Sequence, residues 1–383
     1  MFMEELSVLG WDNGFGQEKL YTVVNRRNYK EEPLLEDEIT QGLTKEEKEQ
    51  GIKKARFSSI HMLVSGTSAM SNSFANDYCY ENMDIEYNGV EYFIGPYALD
   101  QDPNGGIRNY DPYKYRYETE IAKLGAGLAL LFPDDGKIII NHLILGVSIR
   151  VYTKSVLKEV NDIYKNKTFK FTYPRMIKTG EIRKKELVVE INNVSLIPQG
   201  IGGVQDVLFD INGRLNEDNG IEDARYGVID VGTNTVDGFI RRGVNNHIEG
   251  SEFGMTYGTS DVYKKVAGKL SMPNYYSQIE NLHTQGKESI YYYGQERPFI
   301  EVLKNEFETF AKEIYARSGR DHWNRHLETL HRIILTGGSA YYVKDTLEKL
   351  FKPIPIVIPE DPQFSNARGY YKNGIFRLRS LLD

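Results

Sequence analysis

The sequence predicts an α/β chain of two similar domains about a cleft, each with a smaller subdomain, and three observations carry that expectation. Near the start, the apolar run Leu6 to Leu9 leads into Trp11-Asp12-Asn13-Gly14-Phe15-Gly16-Gln17-Glu18-Lys19 and then into a second apolar run, Leu20 to Val24, which reads as strand, tight turn, strand. In the second half, Val228-Ile229-Asp230-Val231-Gly232-Thr233-Asn234-Thr235-Val236-Asp237 repeats the plan: an apolar run ends in Asp, a polar glycine-containing turn follows, and a new strand begins. At 383 residues the chain is also longer than one typical domain of roughly 100–200 residues.

The chemistry of the first turn follows from its residue types. Gly14 and Gly16 allow backbone geometry closed to other residues and let amide N–H groups approach an anion, and Lys19 adds a mobile cation. Asp12, at the end of a buried strand, is placed to hold the water shell of a metal ion. Asp-Asn-Gly is also an ordinary hairpin turn that needs no ligand. The repeat in the second half decides between the two, because two copies imply two similar halves facing one nucleotide.

Composition narrows the class further. A formal net charge of −7 argues against a free-standing nucleic-acid-binding surface. Met1 to Leu6 carries two glutamates and no long apolar segment, so neither a signal nor a transit peptide is expected. No window approaches the roughly 20 apolar residues of a membrane helix, and a cytoplasmic protein is the expectation. The single cysteine, Cys79, has no histidine near it in sequence and reads as a buried or idle thiol.

In chain order, the segment from Arg26 to Arg56 is polar and charged. Within it, Thr44 with Glu47 three residues later forms a capping-box pattern that predicts a short exposed helix to Gln50. Ile60 to Val64 reads as a strand, and Met83 to Ile94 as two strands joined at the hairpin turn Asn88-Gly89. Helical spacing covers Glu118 to Phe132, with Gly125 and Gly127 permitting close packing. A buried strand from Ile138 to Val147, a helix from Ser155 to Tyr164 and a basic β region from Thr168 to Ile191 follow. Ser195-Leu196-Ile197-Pro198-Gln199-Gly200-Ile201-Gly202-Gly203 marks the crossing between halves. A packed helix is expected over Val204 to Ile211, and a polar side chain at the crossing points Gln199 at a terminal phosphate. Beyond the second turn, the pattern predicts strands near Gly238 to Arg241 and Asn245 to Glu249, then helices over Met255 to Leu270 and Pro298 to Ala316. Arg332 to Leu335 is a strand feeding Thr336-Gly337-Gly338-Ser339-Ala340, where two glycines ahead of a helix bring backbone close to a ligand. A strand over Ile354 to Ile358 and a closing helix complete the chain.

Phosphate turn, crossing, phosphate turn, Gly-Gly turn and closing helix, in that order, resemble the superfamily of actin, sugar kinases and heat-shock chaperone ATPases. Asp12 to Lys19 resembles the first phosphate loop of actin. Phe93-Ile94-Gly95-Pro96-Tyr97-Ala98-Leu99, Pro198-Gln199-Gly200 and Asn366-Ala367-Arg368-Gly369 look more like bacterial plasmid-segregating actins of the ParM type. The resemblance implies an actin-like fold, two ribonuclease-H-like α/β domains around a nucleotide cleft, with residues 1–197 and 360–383 in the first domain and 198–359 in the second. The smaller subdomains would be about 26–91 and about 251–294. It implies that Asp12 and Asp230 hold Mg²⁺ through water. Asn13, Gly14, Phe15, Gly16, Lys19, Gly232, Thr233 and Asn234 would surround the phosphates, with Gln199 orienting the attacking water and Gly337, Gly338 and Ser339 facing the nucleoside. Phe15 stands where actin has a small hydroxyl residue, so one side-chain contact to the terminal phosphate is missing. Lys264 and Lys265 are the candidates for adenine and ribose contacts.

The function so implied is a filament-forming ATPase, using ATP or GTP with Mg²⁺ and disassembling after hydrolysis. It would segregate plasmid DNA through a separate DNA-binding adaptor, with no direct nucleic-acid or membrane contact. The alternative is a sugar or acetate kinase, which needs an acidic base near its acceptor, with Asp206 and Asp210 as the available acids.

Overall fold

The computed structural model describes residues 3–24, 43, 47, 50–64, 78–101, 106–134, 136–148, 151–177, 179–216, 224–243 and 246–380. Most of the expected helix over Thr44 to Gln50 and most of the first expected subdomain lie outside them. The chain divides into two compact units, Met1–Gln199 with Tyr370–Asp383, and Gly200–Gly369.

The first unit contains β1 (Met3–Leu6), β2 (Leu9–Asn13), β3 (Gln17–Val23), β4 (Ile52–Ser58), β5 (His61–Leu63), β6 (Met83–Tyr87), β7 (Val90–Ile94), α1 (Pro96–Gln101), α2 (Glu118–Leu131), β8 (Lys137–Val147), α3 (Lys154–Tyr164), β9 (Lys167–Met176) and β10 (Ile182–Pro198). The strands form one ten-stranded sheet in the order β4-β3-β2-β8-β10-β9-β6-β7-β5, with β1 also on β8. At its centre β2, β8 and β10 run parallel, and β2 is buried along its whole length, as expected for strands covered on both faces. Helix α2 packs here so closely that a side chain at Gly125 would meet the Phe171 ring at 2.4 Å. Asn88 and Gly89 both adopt positive φ, 51° and 75°, the geometry that joins β6 to β7 in a two-residue hairpin.

One buried group in this sheet makes stability depend on pH. Asp84 on β6 is 0% exposed, and neither of its carboxyl oxygens has a hydrogen-bond partner among the described residues. Burial first, and the neighbouring Glu91 carboxyl second, push Asp84 up to about 8, against a weaker opposite pull from Lys184. The folded chain therefore holds a proton that the unfolded chain releases from about pH 4 upward. The stabilisation is complete below that point and is lost as pH rises toward 8. Urea midpoints should show Asp84→Asn gaining on the parent from pH 5 to pH 8, with a slope approaching about 1.4 kcal/mol per pH unit. Parallel pH profiles for the two proteins would contradict this.

The second unit contains α4 (Ile201–Leu208), β11 (Arg225–Val231), β12 (Val236–Arg242), β13 (Asn246–His247), β14 (Phe253–Met255), α5 (Thr259–Lys269), α6 (Tyr276–Thr284), β15 (Ser289–Tyr292), β16 (Gln295–Pro298), α7 (Ile300–Tyr315), β17 (Arg332–Thr336), α8 (Ala340–Leu350), β18 (Ile356–Val357) and the start of α9 (Ser365–Arg379), which belongs to the first unit from Tyr370 onward. Its main sheet runs β13-β12-β11-β17-β18 with β14 on β12, and β15 and β16 form a separate hairpin. Trp323 lies fully buried in the core. Its ring stands edge-on to Phe253 at 5.5 Å, and its indole N–H donates to the Ser251 carbonyl at 2.8 Å.

Several boundaries differ from the expectation for identifiable reasons. Helix α4 begins at Ile201, not Val204: Gly200 caps it with φ 84°, and the glycines that suggested a loop sit in its first turn because Gly203 packs against Thr336. Helix α5 begins at Thr259, not Met255, because Phe253–Met255 pairs with β12 as a strand. Helix α7 continues as π-helix over Ala316–His322. The second compact unit extends to Gly369, where 359 was expected. The first turn of α9 is the cause: Arg368 makes a two-pronged pair with Asp206, both contacts 2.6 Å, and Gly369 lies against Gly202.

Candidate functional site

In the first unit, β2 and β3 pair with Asp12 opposite Lys19 and Asn13 opposite Glu18. The turn between them is tightened by the Gly14 N–H donating to the Asp12 carbonyl at 3.0 Å. Gly14 must lack a side chain, since a Cβ would lie 2.5 Å from the Gln17 carbonyl oxygen. Asp12 is 3% exposed, and its Oδ2 accepts from Lys19 Nζ at 2.8 Å.

Because β2, β8 and β10 are parallel, their C-terminal ends share one edge of the sheet, where open α/β sheets bind ligands. The Gln199 N–H donates to the Val147 carbonyl at 2.7 Å, carrying the β8–β10 pairing to that edge. There Gln199 Nε2 lies 3.5 Å from both Asp12 Oδ1 and the Asn13 carbonyl. Asn13 Oδ1 is buried without a partner among the described residues. The sequence-predicted residues Asp12, Asn13, Gly14, Lys19 and Gln199 are thus brought together, although Gln199 is distant in sequence.

Behind the turn lies a buried ionic cluster that sequence reasoning missed. Glu18, Glu120 and Lys123 are all 0% exposed. Lys123 Nζ donates to Glu120 at 2.9 Å, and Glu18 accepts from the Trp11 indole N–H at 3.0 Å. Burial pushes the Glu18 carboxyl up, against the pull of the Lys114 and Lys123 ammoniums. Burial also raises Glu120, but Lys123 and Lys114 outweigh it and hold that carboxyl below its usual range.

In the second unit, β11 and β12 form the corresponding hairpin, closed by the Gly232 N–H donating to the Thr235 carbonyl at 2.9 Å. Asp230 Oδ2 accepts from Asn366 Nδ2 at 3.0 Å, and Asn366 Oδ1 accepts from the Gly203 N–H at 3.1 Å. Asn366 thus fixes Asp230 and the start of α4 together. Strands β11 and β17 are parallel with Asp230 opposite Thr336, which sets the Gly-Gly turn beside the carboxylate. Gly337 has φ 94°, and a Cβ there would be 2.4 Å from the Val231 carbonyl oxygen and 2.7 Å from Asp230 Oδ1. Gln363 donates to the Gly338 carbonyl at 3.3 Å. Asp230, Gly232, Thr233, Asn234, Gly337, Gly338 and Ser339 therefore cluster in this unit.

Other candidates have ordinary roles. Lys264 is paired with Asp261 one turn earlier on α5, and Lys265 stands over the Tyr257 ring at 5.9 Å. Asp210 accepts the backbone N–H groups of Asn212 and Arg214 in a turn, and Asp206 is held by Arg368. Cys79 is half-buried, and burial raises its thiol.

The donor set at each turn is one carboxylate with neighbouring amide and backbone oxygens, the hard-oxygen chemistry of Mg²⁺. Among the described residues no three His, Cys, Asp or Glu side chains gather as a group that could hold a metal ion. No described helix is long and apolar enough to cross a membrane.

Two sequence-family models match the chain: the N-terminal domain of actin-like proteins over residues 40–202, and the C-terminal domain of MreB-like archaeal actin homologues over 228–349. No curated protein sequence matches. Among solved structures, the archaeal actin homologue Ta0583 superposes with a TM-score of 0.68 at 18% identity, covering 96% of this chain and 99% of its own. That protein has also been solved in complex with ADP. The apo psk41 ParM protein gives 0.65 at 18% identity, over 99% and 100% of the two chains. ParM from Clostridium botulinum, solved as a 15-stranded filament, gives 0.65 at 20% identity, over 98% and 99%. The paired hairpin turns, the two domain matches and the shared fold lead to one assignment: the chain belongs to the actin-like proteins.

Proposed function

We propose that this protein is a filament-forming ATPase that assembles with a nucleoside triphosphate and Mg²⁺ and disassembles after hydrolysis. The observation that carries the reading is the placement of Gln199 at 3.5 Å from both Asp12 and the Asn13 carbonyl, at the edge of the sheet that bears the glycine-containing turn. In-line attack on a terminal phosphate demands positioning and charge neutralisation more than a strong base, so an amide there suffices to orient water. Asn13, Gly14, Phe15, Gly16 and Lys19 from one turn, with Gly232, Thr233 and Asn234 from the other, supply donors to the phosphates. Gly337, Gly338 and Ser339 lie along the nucleoside. Asp12 and Asp230 are the residues that would hold Mg²⁺ through water, and the bound ion would neutralise the phosphate charge. The ADP complex of Ta0583 supports nucleotide as the ligand, and the C. botulinum filament supports self-assembly as the output.

The kinase alternative needs a free acid at an acceptor site. Asp206 is occupied by Arg368 and Asp210 by two backbone donors, which favours hydrolysis over transfer. A net charge of −7 favours attachment to DNA through an adaptor over direct contact, and we place the filament in the cytoplasm with plasmid segregation as its task.

Light scattering tests the reading. Above a critical protein concentration the signal should rise on adding ATP or GTP with Mg²⁺ and fall as the nucleotide is consumed. Monomer at tens of micromolar, together with phosphorylation of a small metabolite, would replace the filament with the kinase.

A further inference from the structure

A peptide unit is planar and trans, so the carbonyl of one residue and the N–H of the next point in opposite directions. In the turn of the first unit, three consecutive carbonyls are anchored from outside. That of Gly14 accepts from Lys114 Nζ at 2.6 Å, that of Phe15 from the Ser59 hydroxyl, and that of Gly16 from the Ser59 N–H at 3.0 Å. The N–H groups of Phe15, Gly16 and Gln17 are therefore turned away from these anchors. Neither Phe15 nor Gly16 donates to another backbone carbonyl among the described residues. Successive N–H groups directed to one side make a concave anion site.

Lys114 is an unusual anchor. It is 6% exposed, with its ammonium 4.9 Å from the Phe15 ring centre and 4.0 Å from Glu120. Glu120 leads to Lys123 at 2.9 Å, and Lys123 to Glu18 at 3.7 Å. Glu18 is bonded to Trp11, so the chain of charges returns to the two strands that flank the turn. Burying an ammonium is costly, and a packed apolar residue serves stability as well or better. The second turn is anchored differently: its Gly232 and Thr233 carbonyls accept the Thr259 and Ser260 N–H groups at 3.2 and 2.8 Å. The first turn takes two of its three anchors from side chains, Lys114 and Ser59, whereas the second turn rests on backbone donors with one long side-chain contact, the Thr259 hydroxyl to the Gly232 carbonyl at 3.5 Å.

We propose that Lys114 and Ser59 are positioning residues that hold the Gly14 to Gly16 carbonyls outward, presetting the Phe15, Gly16 and Gln17 N–H groups for the terminal phosphates of a nucleotide. The cradle supplies by backbone what Phe15 lacks as a side-chain hydroxyl. This inference rests on the nucleotide reading above.

The test is calorimetric affinity of the full chain for ATP and for adenosine, with GTP and guanosine in parallel, on the parent and on Lys114→Met, Lys114→Arg and Ser59→Ala. Lys114→Met should lose about 10- to 100-fold in triphosphate affinity, the scale seen when residues that orient a metal's ligands are removed, with nucleoside affinity unchanged. Lys114→Arg should recover part of the loss. Ser59→Ala, which removes one neutral hydrogen bond, should lose about fivefold, again for the triphosphate alone. Parental triphosphate affinity in Lys114→Met overturns the proposal, as does an equal loss for triphosphate and nucleoside. If Lys114→Met does not fold, unchanged triphosphate affinity in Ser59→Ala overturns it by itself. A parent chain that binds no nucleotide is a separate result and defeats the nucleotide reading at its root.

Discussion

Gln199→Ala is expected to slow nucleoside triphosphate hydrolysis by about 100- to 1,000-fold, the usual consequence of deleting one preorganised polar group, while nucleotide affinity changes less than about threefold. The split follows from position. The amide touches Asp12 and the Asn13 carbonyl only at 3.5 Å, so it adds little to holding the turn and is free to orient a water. Filaments should still assemble and should disassemble slowly. Gln199→Glu makes the complementary test, because a second carboxylate beside Asp12 repels the phosphates and should weaken binding as well as turnover. Single-turnover assays with separate affinity measurements distinguish the two effects. Parental hydrolysis in Gln199→Ala would mean that another residue orients the water.

The second large effect concerns the two aspartates. Asp12→Ala and Asp230→Ala should each reduce Mg²⁺-dependent nucleotide affinity by about 10- to 100-fold, as for other residues acting on a metal's outer shell. Affinity in EDTA should move much less. Each substitution also frees a partner, Lys19 in one case and Asn366 in the other, so Asp12→Asn and Asp230→Asn are the controls that keep an acceptor in place. If both alanine variants keep the parental gain from Mg²⁺, the aspartates do not act on the cation.

What the sequence made legible was local. Asp12 and Asp230 were readable because each ends an apolar run just before a glycine-containing turn, and strand, turn and strand are consecutive. The Gly337-Gly338 turn was readable because strand, glycines and helix follow without interruption. Residues that act across the fold left no such trace. Lys114 meets Gly14 across 100 positions from a segment, Tyr113-Lys114-Tyr115-Arg116, with no recognisable spacing. Ser59 sits in an ordinary serine pair at the end of β4. Asn366 could be noticed as part of a motif, but its bond to Asp230, 136 positions away, exists only once β11 and α9 are assembled. The same physics displaced the start of α4: glycine signals a loop until close packing against Thr336 requires it inside a helix.

The two tryptophans of the chain fall one to each compact unit, Trp11 in the first and Trp323 in the second. Both are 0% exposed, yet their indole N–H groups see different partners: a carboxylate for Trp11 and a neutral carbonyl for Trp323. The molecule thus carries two internal fluorophores with distinct electrostatic surroundings. Replacing Trp323 by Phe leaves a single emitter on the strand that leads into the first turn, and replacing Trp11 leaves one in the core of the other unit. Because a chain of two units need not unfold in one step, this pair of single-tryptophan proteins turns one emission spectrum into two independent records of denaturation, one for each half.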